Sequence, residues 1–291
     1  MAEHGVFMTR VVTWNTWWCF GPWQERQPLL TAAVAAQQAD VVLLQETWPE
    51  QAAAVAQACG LAVIELSVGP FEPSGTDTEP AGTLFGNAIL GRADQTEAMG
   101  STPLSSAGDG APRNGLAVRH RGEGPALLLV ATHLNHIAEA SSVRSQQLDL
   151  LRQWIDQLWP QGPVVLGGDL NLVPTSEEYH RSIAPRWVDL WRQAKPGEPG
   201  STMVPENPRF RDIDWMAARN GPGTPAGVRF DYLLARRGPE GSSGLSVKAI
   251  DVIGGAEHGW PSDHLGLVAD VSIVDHSEQF DEQRMSTCLT E

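Results

Sequence analysis

The chain has 291 residues, 42% of them hydrophobic, with 20 basic against 35 acidic side chains and a formal net charge of −15. That apolar fraction supports a sizeable core and argues against disorder. The acidic balance argues against a dedicated duplex-binding surface, which needs Lys and Arg to neutralise phosphates.

The opening residues, MAEHGVFMTR, lack the apolar stretch of a signal peptide, and no later run reaches transmembrane length. They predict a soluble, cytoplasmic protein; removal of an export signal is the alternative. Cys19, Cys59 and Cys288 are too few and too far apart to imply a disulfide scaffold or a cysteine zinc site.

The first apolar run, 11–14, reads as a buried strand ending at Asn15. A helix over 27–38 comes next, with Leu29, Leu30, Ala33 and Val34 at helical spacing. The strand 41–44 runs into Gln45 and Glu46, and a helix over 51–59 stops at Gly60. Segments 69–82 and 100–113, rich in Gly, Pro, Ser and Thr, read as long loops on either side of a strand at 88–90. Strands at 116–118 and 127–131 precede the clearest helix, 142–159. There Leu148, Leu151, Ile155 and Leu158 recur at three- and four-residue intervals, and Pro160 and Gly162 end it.

A strand at 164–166, a loop at 195–208, a strand at 232–235, a turn at 238–244 and a strand at 265–271 complete the pattern. No break in composition divides residues 1–274, which read as one domain. Residues 275–291, with Asp275, Glu278, Asp281 and Glu282, read as an acidic tail.

Polar residues cluster where these strands end. Asn15 closes TWN, Glu46 closes LQE, and GGDLN carries Asp169 and Asn171. THLN carries His133 and Asn135, and SDH carries Asp263 and His264. Residues two apart on a strand share a face, so an extended path would point Asp169 and Asn171, or His133 and Asn135, at one target. Each piece alone has a plainer explanation. Asp-x-Asn is turn chemistry, Gln-Glu compensates a helix N-terminus, and Ser-Asp is a capping pair for the next element. Several strand ends presenting such groups imply one shared rim.

In this order and company, TWN at 13–15, LQE at 44–46, GNAILGR at 86–92, THLNH at 132–136, GGDLN at 167–171, RFDYLL at 229–234 and SDH at 262–264 resemble the endonuclease/exonuclease/phosphatase superfamily. This group of DNase I-like phosphoesterases includes deoxyribonucleases, abasic-site endonucleases, sphingomyelinases, inositol polyphosphate 5-phosphatases and tyrosyl-DNA phosphodiesterases. The resemblance implies an α/β (α+β) fold, a four-layer α/β/β/α sandwich of two mixed β-sheets. It also implies a divalent cation, Mg²⁺ or Mn²⁺, as suits hard oxygen ligands.

By the same resemblance Glu46 is the principal metal ligand, with Asn15 and Asp263 close to the ion. His264 is the catalytic histidine, Asp231 orients it, and Asp169 prepares the attacking water. Asn171, His133, Asn15, Asn135 and Arg113 contact phosphate oxygens. Abasic-site endonucleases carry an aspartate where this chain has Trp17, which argues against a second metal subsite.

Three functional readings compete. The first is hydrolysis of a phosphodiester in a small, lipid or nucleic-acid-end substrate by in-line attack of water. The second is a general DNA nuclease, which the net charge disfavours. The third is a catalytically silent binding module on the same fold. Trp17, Trp18, Trp48 and Trp260 lie beside the motifs and fit either a cleft floor or core packing. The segment 200–215 is expected to form a cleft wall, 221–227 a hinge, and His136 and His258 are expected to be solvated or core. Oligomeric state is left open.

Overall fold

The computed structural model describes residues 7–71, 84–122, 124–210, 227–238, 241 and 243–274. The expected acidic tail, the expected hinge apart from Gly227, and residues 211–215 of the expected wall lie outside them. Among the described residues no helix is long and apolar enough to cross a membrane.

Two six-stranded sheets form the centre. The first has the order β11-β12-β1-β2-β4-β3. Its strands are β1 (Met8–Asn15), β2 (Val41–Thr47), β3 (Ala62–Pro70), β4 (Leu84–Gly91), β11 (Leu245–Ile253) and β12 (Gly266–Ile273). The second has the order β5-β6-β7-β8-β10-β9. It contains β5 (Thr96–Leu104), β6 (Arg113–His120), β7 (Leu127–His133), β8 (Val164–Asp169), β9 (Trp187–Asp189) and β10 (Asp231–Arg236). Both are mixed: β1 and β2 run parallel, as do β7 and β8, and the other pairings are antiparallel.

Side-chain alternation builds three cores from these strands. Val11, Leu43 and Ile89 of one sheet meet Leu116, Leu129, Val165 and Leu233 of the other in a central layer. Val12, Trp14, Val42 and Leu90 face outward onto α1 (Trp23–Ala35) and α2 (Pro49–Cys59). Leu128, Val130, Leu166 and Leu234 face outward onto α3 (Ser141–Leu158). This is the expected four-layer sandwich. Two short helices, α4 (Glu177–Ser182) and α5 (Leu190–Ala194), and one 3₁₀ turn at Ala256–His258 flank it.

The structure corrects the reading of 100–113 as one loop. Residues up to Leu104 pair with β6, and only 105–112 connect the two strands. Strand β5 is an edge strand of low intrinsic propensity, with Gly100 at a bulge and Pro103 in the ladder. Its pairing with β6 overrides its composition. Strand β3 is likewise an edge strand, half-buried along most of its length, and its last residues, 69–70, fall inside the segment expected to be a loop.

Parallel pairing of β7 and β8 sets His133 opposite Asp169, and antiparallel pairing of β8 and β10 sets Asp231 opposite Asp169. Three functional positions thus stand side by side at one end of the second sheet. Gly168 makes this crowding possible. Its φ is +145°, and an added Cβ would drive into the Thr132 carbonyl oxygen of the neighbouring strand. Gly168→Ala is therefore expected to lower the denaturation free energy by about 2 kcal/mol or more. A shift of the urea midpoint at unchanged slope checks it.

Candidate active site

Most functional side chains sit at the end of a strand. Asn15 ends β1, His133 ends β7, Asp169 ends β8, Asp231 begins β10 and Arg113 begins β6. Glu46 lies in a bulge of β2, where the register with β4 shifts between Leu44 and Thr47 and its own φ is +52°. Asp263 and His264 come from the connection between β11 and β12. Ser262 shapes that connection: its hydroxyl donates to the Asn15 carbonyl at 2.8 Å and accepts the His264 amide at 3.2 Å. The Trp14 indole donates to the His264 carbonyl at 3.0 Å, and the Asn207 amide donates to both the Ser262 and Asp263 carbonyls.

The two sheets meet at Asp169, which is 1% exposed. Its Oδ2 accepts the Asn15 amide at 3.0 Å from the opposite sheet, and its Oδ1 accepts the Asn171 backbone N–H at 2.9 Å. His133 Nε2 lies 3.5 Å from Asp169 Oδ2 and 3.8 Å from Glu46 Oε1. His264 Nδ1 is 2.7 Å from Asp231 Oδ2, and its Nε2 is 3.8 Å from Asp169 Oδ2.

Asn171 does not reach this cluster along an extended strand. Strand β8 ends at Asp169, and Asn171 has φ +51°. A left-handed turn places its amide 3.1 Å from both His133 Nε2 and the Leu134 carbonyl. Asn15 spends both polar ends within the cluster, on Asp169 and the Trp17 N–H, while Asn135 is turned away from it. Its amide donates to Ser106 O and its Oδ1 accepts the Ile137 N–H, so both polar ends serve a loop. The alternation expected for His133 and Asn135 fails because β7 stops at His133.

Electrostatics follow from burial. Desolvation, then Asp263, pushes the Glu46 carboxyl up to about 7. Desolvation lifts Asp169 to about 6 against the pull of His264, and burial raises Asp263 as well. His264 goes the other way. Burial disfavours its charge, but Asp231, Asp263 and Asp169 outweigh that and hold the imidazolium well above the usual histidine range. His133, desolvated and near Arg113 and His264, stays neutral. A carboxylate group with such values ionises fully only against further positive charge.

The ligand atoms of Asp169, Asp231 and His264 lie within 4.8 Å of one another, close enough to share a metal ion. Asp231 Oδ2 is, however, engaged by His264 Nδ1. Of the clustered carboxylates, those of Glu46, Asp169 and Asp263 line the cleft, a hard donor set that fits a divalent cation.

The cleft encloses about 590 Å³. Trp17 lines it, whereas Trp18 and Trp48 are core residues. Trp260 does not line it. Met203 and Phe210, from the segment expected to form a wall, do so. His136 is both solvated and at the cleft, with Nδ1 3.2 Å from Arg113 Nη2, while His258 is bonded to its neighbour Glu257.

Sequence reasoning missed four contributors. Asp109 receives Arg113 Nε at 2.9 Å. Asn207 clamps the loop of Asp263 through its two carbonyl contacts. The Arg26 guanidinium donates to the carbonyls of Thr16, Trp17, Trp18, Phe20 and Pro261. Gln51 Oε1 accepts the hydroxyls of Thr16 and Thr47 on either side of the Glu46 bulge.

The sequence profile of the Endonuclease/Exonuclease/phosphatase family matches residues 12–264. The chain belongs to that family, and a phosphoester hydrolase is the class of enzyme that it defines. The catalytic domain of human Nocturnin with a bound sulfate anion superposes with a TM-score of 0.67 at 20% identity, covering 92% of this chain and 94% of that one. TDP2 of D. rerio, complexed with a single-strand DNA product, gives 0.63 at 20% identity over 91% and 99%. A family member from Beutenbergia cavernae gives 0.64 at 22% over 92% and 72%. No curated protein sequence matches the chain.

Because Asp231 holds up the His264 imidazolium, Asp231→Asn should drop that titration toward the ordinary histidine range in chelator-treated protein. Imidazole NMR signals tracked against pH read this directly. The sign fixes the stability profile too. His264 contributes stability below its unfolded value near 6.5, and that contribution fades as pH rises through the folded value. The Asn variant should lose this dependence.

Proposed function

We propose that the protein is a divalent-metal-dependent phosphodiesterase that cleaves its substrate by in-line attack of water. The observation that carries this reading is the convergence of Asn15, Glu46, His133, Asp169, Asp231, Asp263 and His264 from both sheets around one Asp169 carboxylate. A silent binding module would have no use for an imidazolium–carboxylate pair buried beside a basic-shifted aspartate.

Glu46 and Asp263 would hold one Mg²⁺ or Mn²⁺ ion, with Asn15 acting on it through Asp169. Bound there, the cation supplies Lewis-acid stabilisation of charge on the phosphoryl and leaving oxygens. Asp169 carries the proton from the attacking water. A carboxyl poised at about 6 is largely ionised at neutral pH yet still basic enough for that role. Asn15 and the Asn171 backbone aim its two oxygens. His264, charged and fixed by Asp231, faces the phosphoryl group and stabilises its growing negative charge. Neutral His133, the Asn171 amide and Arg113 complete the cradle for the remaining oxygens. Asn135 is left out of this scheme, since its side chain is spent within its loop.

Bis-p-nitrophenyl phosphate, p-nitrophenyl phosphate, supercoiled plasmid and sphingomyelin, each with Mg²⁺, Mn²⁺ or chelator, test the proposal. The expected outcome is cation-dependent hydrolysis of the simple diester. Efficient plasmid nicking would instead favour a general nuclease, and inertness toward every ester would end the phosphoesterase reading. Asp169→Asn and His264→Ala should each lose about 10²–10⁴-fold in kcat.

Metal affinity should also track the raised carboxyls. Ions bind only the deprotonated form, so the apparent association constant should climb between about pH 6 and about pH 8 with proton release. Calorimetry in two buffers of different ionisation heat measures that release. Glu46→Gln should abolish it.

A further inference from the structure

We infer that the cleft beside the carboxylate cluster is a ring-binding subsite, and that the substrate is a compact phosphodiester bearing a planar aromatic group. This rests on the phosphoesterase reading and names the chemistry that the site selects.

The first observation is the wall next to the catalytic histidines. Phe85 has its ring centroid 6.1 Å from that of His133, and Phe71 lies 4.7 Å beyond Phe85 with a 44° tilt. Phe20 stands 6.5 Å from Phe71, and all three phenylalanines pack around the buried Trp18. Phe20 and Phe71 are only half-buried and line the cleft, as does Trp17. Trp17 is held in place by the Arg26 guanidinium 4.5 Å from its ring. A run of aromatic rings, packed mostly edge to face, therefore starts beside His133 and lines the cleft.

The second observation is charge. Among the described residues lining the cleft, Arg113 is the single lysine or arginine, and a fully buried Asp109 carboxylate already pairs with it. Glu139 lines the same cleft. Together with the His264 imidazolium this neutralised arginine can serve one phosphate, whereas a polyanion needs several lysines or arginines in register. Among the described residues, recognition beyond the scissile phosphate therefore falls to apolar and π contacts. A planar ring gains most from such contacts, because it stacks and loses little conformational entropy.

Calorimetry on the Mg²⁺-loaded protein with methyl, hexyl and phenyl phosphates and thymidine 5′-phosphate tests the inference. Methyl phosphate reports the phosphoryl site alone, hexyl phosphate reports flexible apolar area, and the last two separate an aryl ring from a nucleobase. Phenyl phosphate, thymidine 5′-phosphate or both should bind about tenfold or more tighter than methyl phosphate, and tighter than hexyl phosphate. In Phe71→Leu, and independently in Phe20→Leu, that ring preference should shrink at least about threefold. The thermal unfolding transition of each variant reports its fold.

Equal affinity for all four ligands, or hexyl phosphate binding as well as the rings, overturns the inference. So does an undiminished preference in both folded variants. Ring preference without turnover of any diester would instead support the subsite and sink the phosphodiesterase reading, so the two fail separately.

Discussion

Four carboxylates, those of Glu46, Asp169, Asp231 and Asp263, share one end of the sandwich, removed from most of the water that would stabilise them. Their charge is only partly answered within the chain. His264 sits among Asp231, Asp263 and Asp169, Arg26 acts on Asp263, and Arg113 acts on Glu46. Three cations of this kind do not suffice. Desolvation, which these cations offset only in part, holds Glu46 at about 7 and Asp169 at about 6. Burying such a group costs stability, and a cation bound as proposed above would offset part of that cost.

Holding that group in place falls to the helices as much as the strands. In α1 the apolar stripe of Leu30, Ala33 and Val34 extends one turn back to Arg26, which is 2% exposed. In α2 the stripe of Val55 and Ala56 extends back to Gln51, and in α3 the stripe of Leu148, Leu151 and Ile155 extends back to Arg144. Both arginines turn inward onto carbonyls where strands have ended. Arg26 serves the loop after β1, and Arg144 serves the carbonyls of Asn135, Ile137 and Ala138 after β7. A peptide chain that leaves a sheet while still buried has lost its ladder partners, and unmet carbonyls there would cost more than burying a guanidinium that meets several at once. Burial lowers Arg26 to about 10, which leaves it charged at neutral pH.

The sequence carried the layers well, because central strands such as 127–131 and 164–166 are continuous apolar runs with few other readings. Edge strands β3 and β5 were not legible, since no residue of β3 and only the two end residues of β5 are buried, and pairing rather than composition decides them. For the site, the grouping of residues was legible and their path was not. Glu46, Asp169, Asp263 and His264 could be picked out by type and company, yet the alternation argument misplaced Asn135 and gave the wrong route for Asn171. Arg26 and Gln51 did leave a signal, as polar residues in line with an apolar stripe. An arginine at such a position reads as surface until the loop it serves is known. Asp109 left none, because a lone aspartate in a Gly- and Ser-rich stretch is ordinary turn chemistry.

The misread paths have a common cause that bears on catalysis. Among the described non-glycine residues with positive φ, Trp17, Trp18, Glu46, Asn171 and Trp260 all lie in or beside the motifs, and only Gln38 and Ala107 lie elsewhere. Each such conformation costs on the order of 1–3 kcal/mol and persists only where its surroundings over-determine it. They do so here. The Glu46 carbonyl accepts the Thr16 hydroxyl and the Trp18 N–H, Gln51 ties the flanking threonines, and Asn171 is held by Asp169, His133 and Leu134. A regular strand would point every second side chain at the cleft in a fixed row. Breaking the strands lets groups from two facing sheets converge on one point, a geometry that no ladder spacing allows. The strain is thus the physical cost of convergence, and the loops where a strand rule fails are the places where the chemistry is assembled.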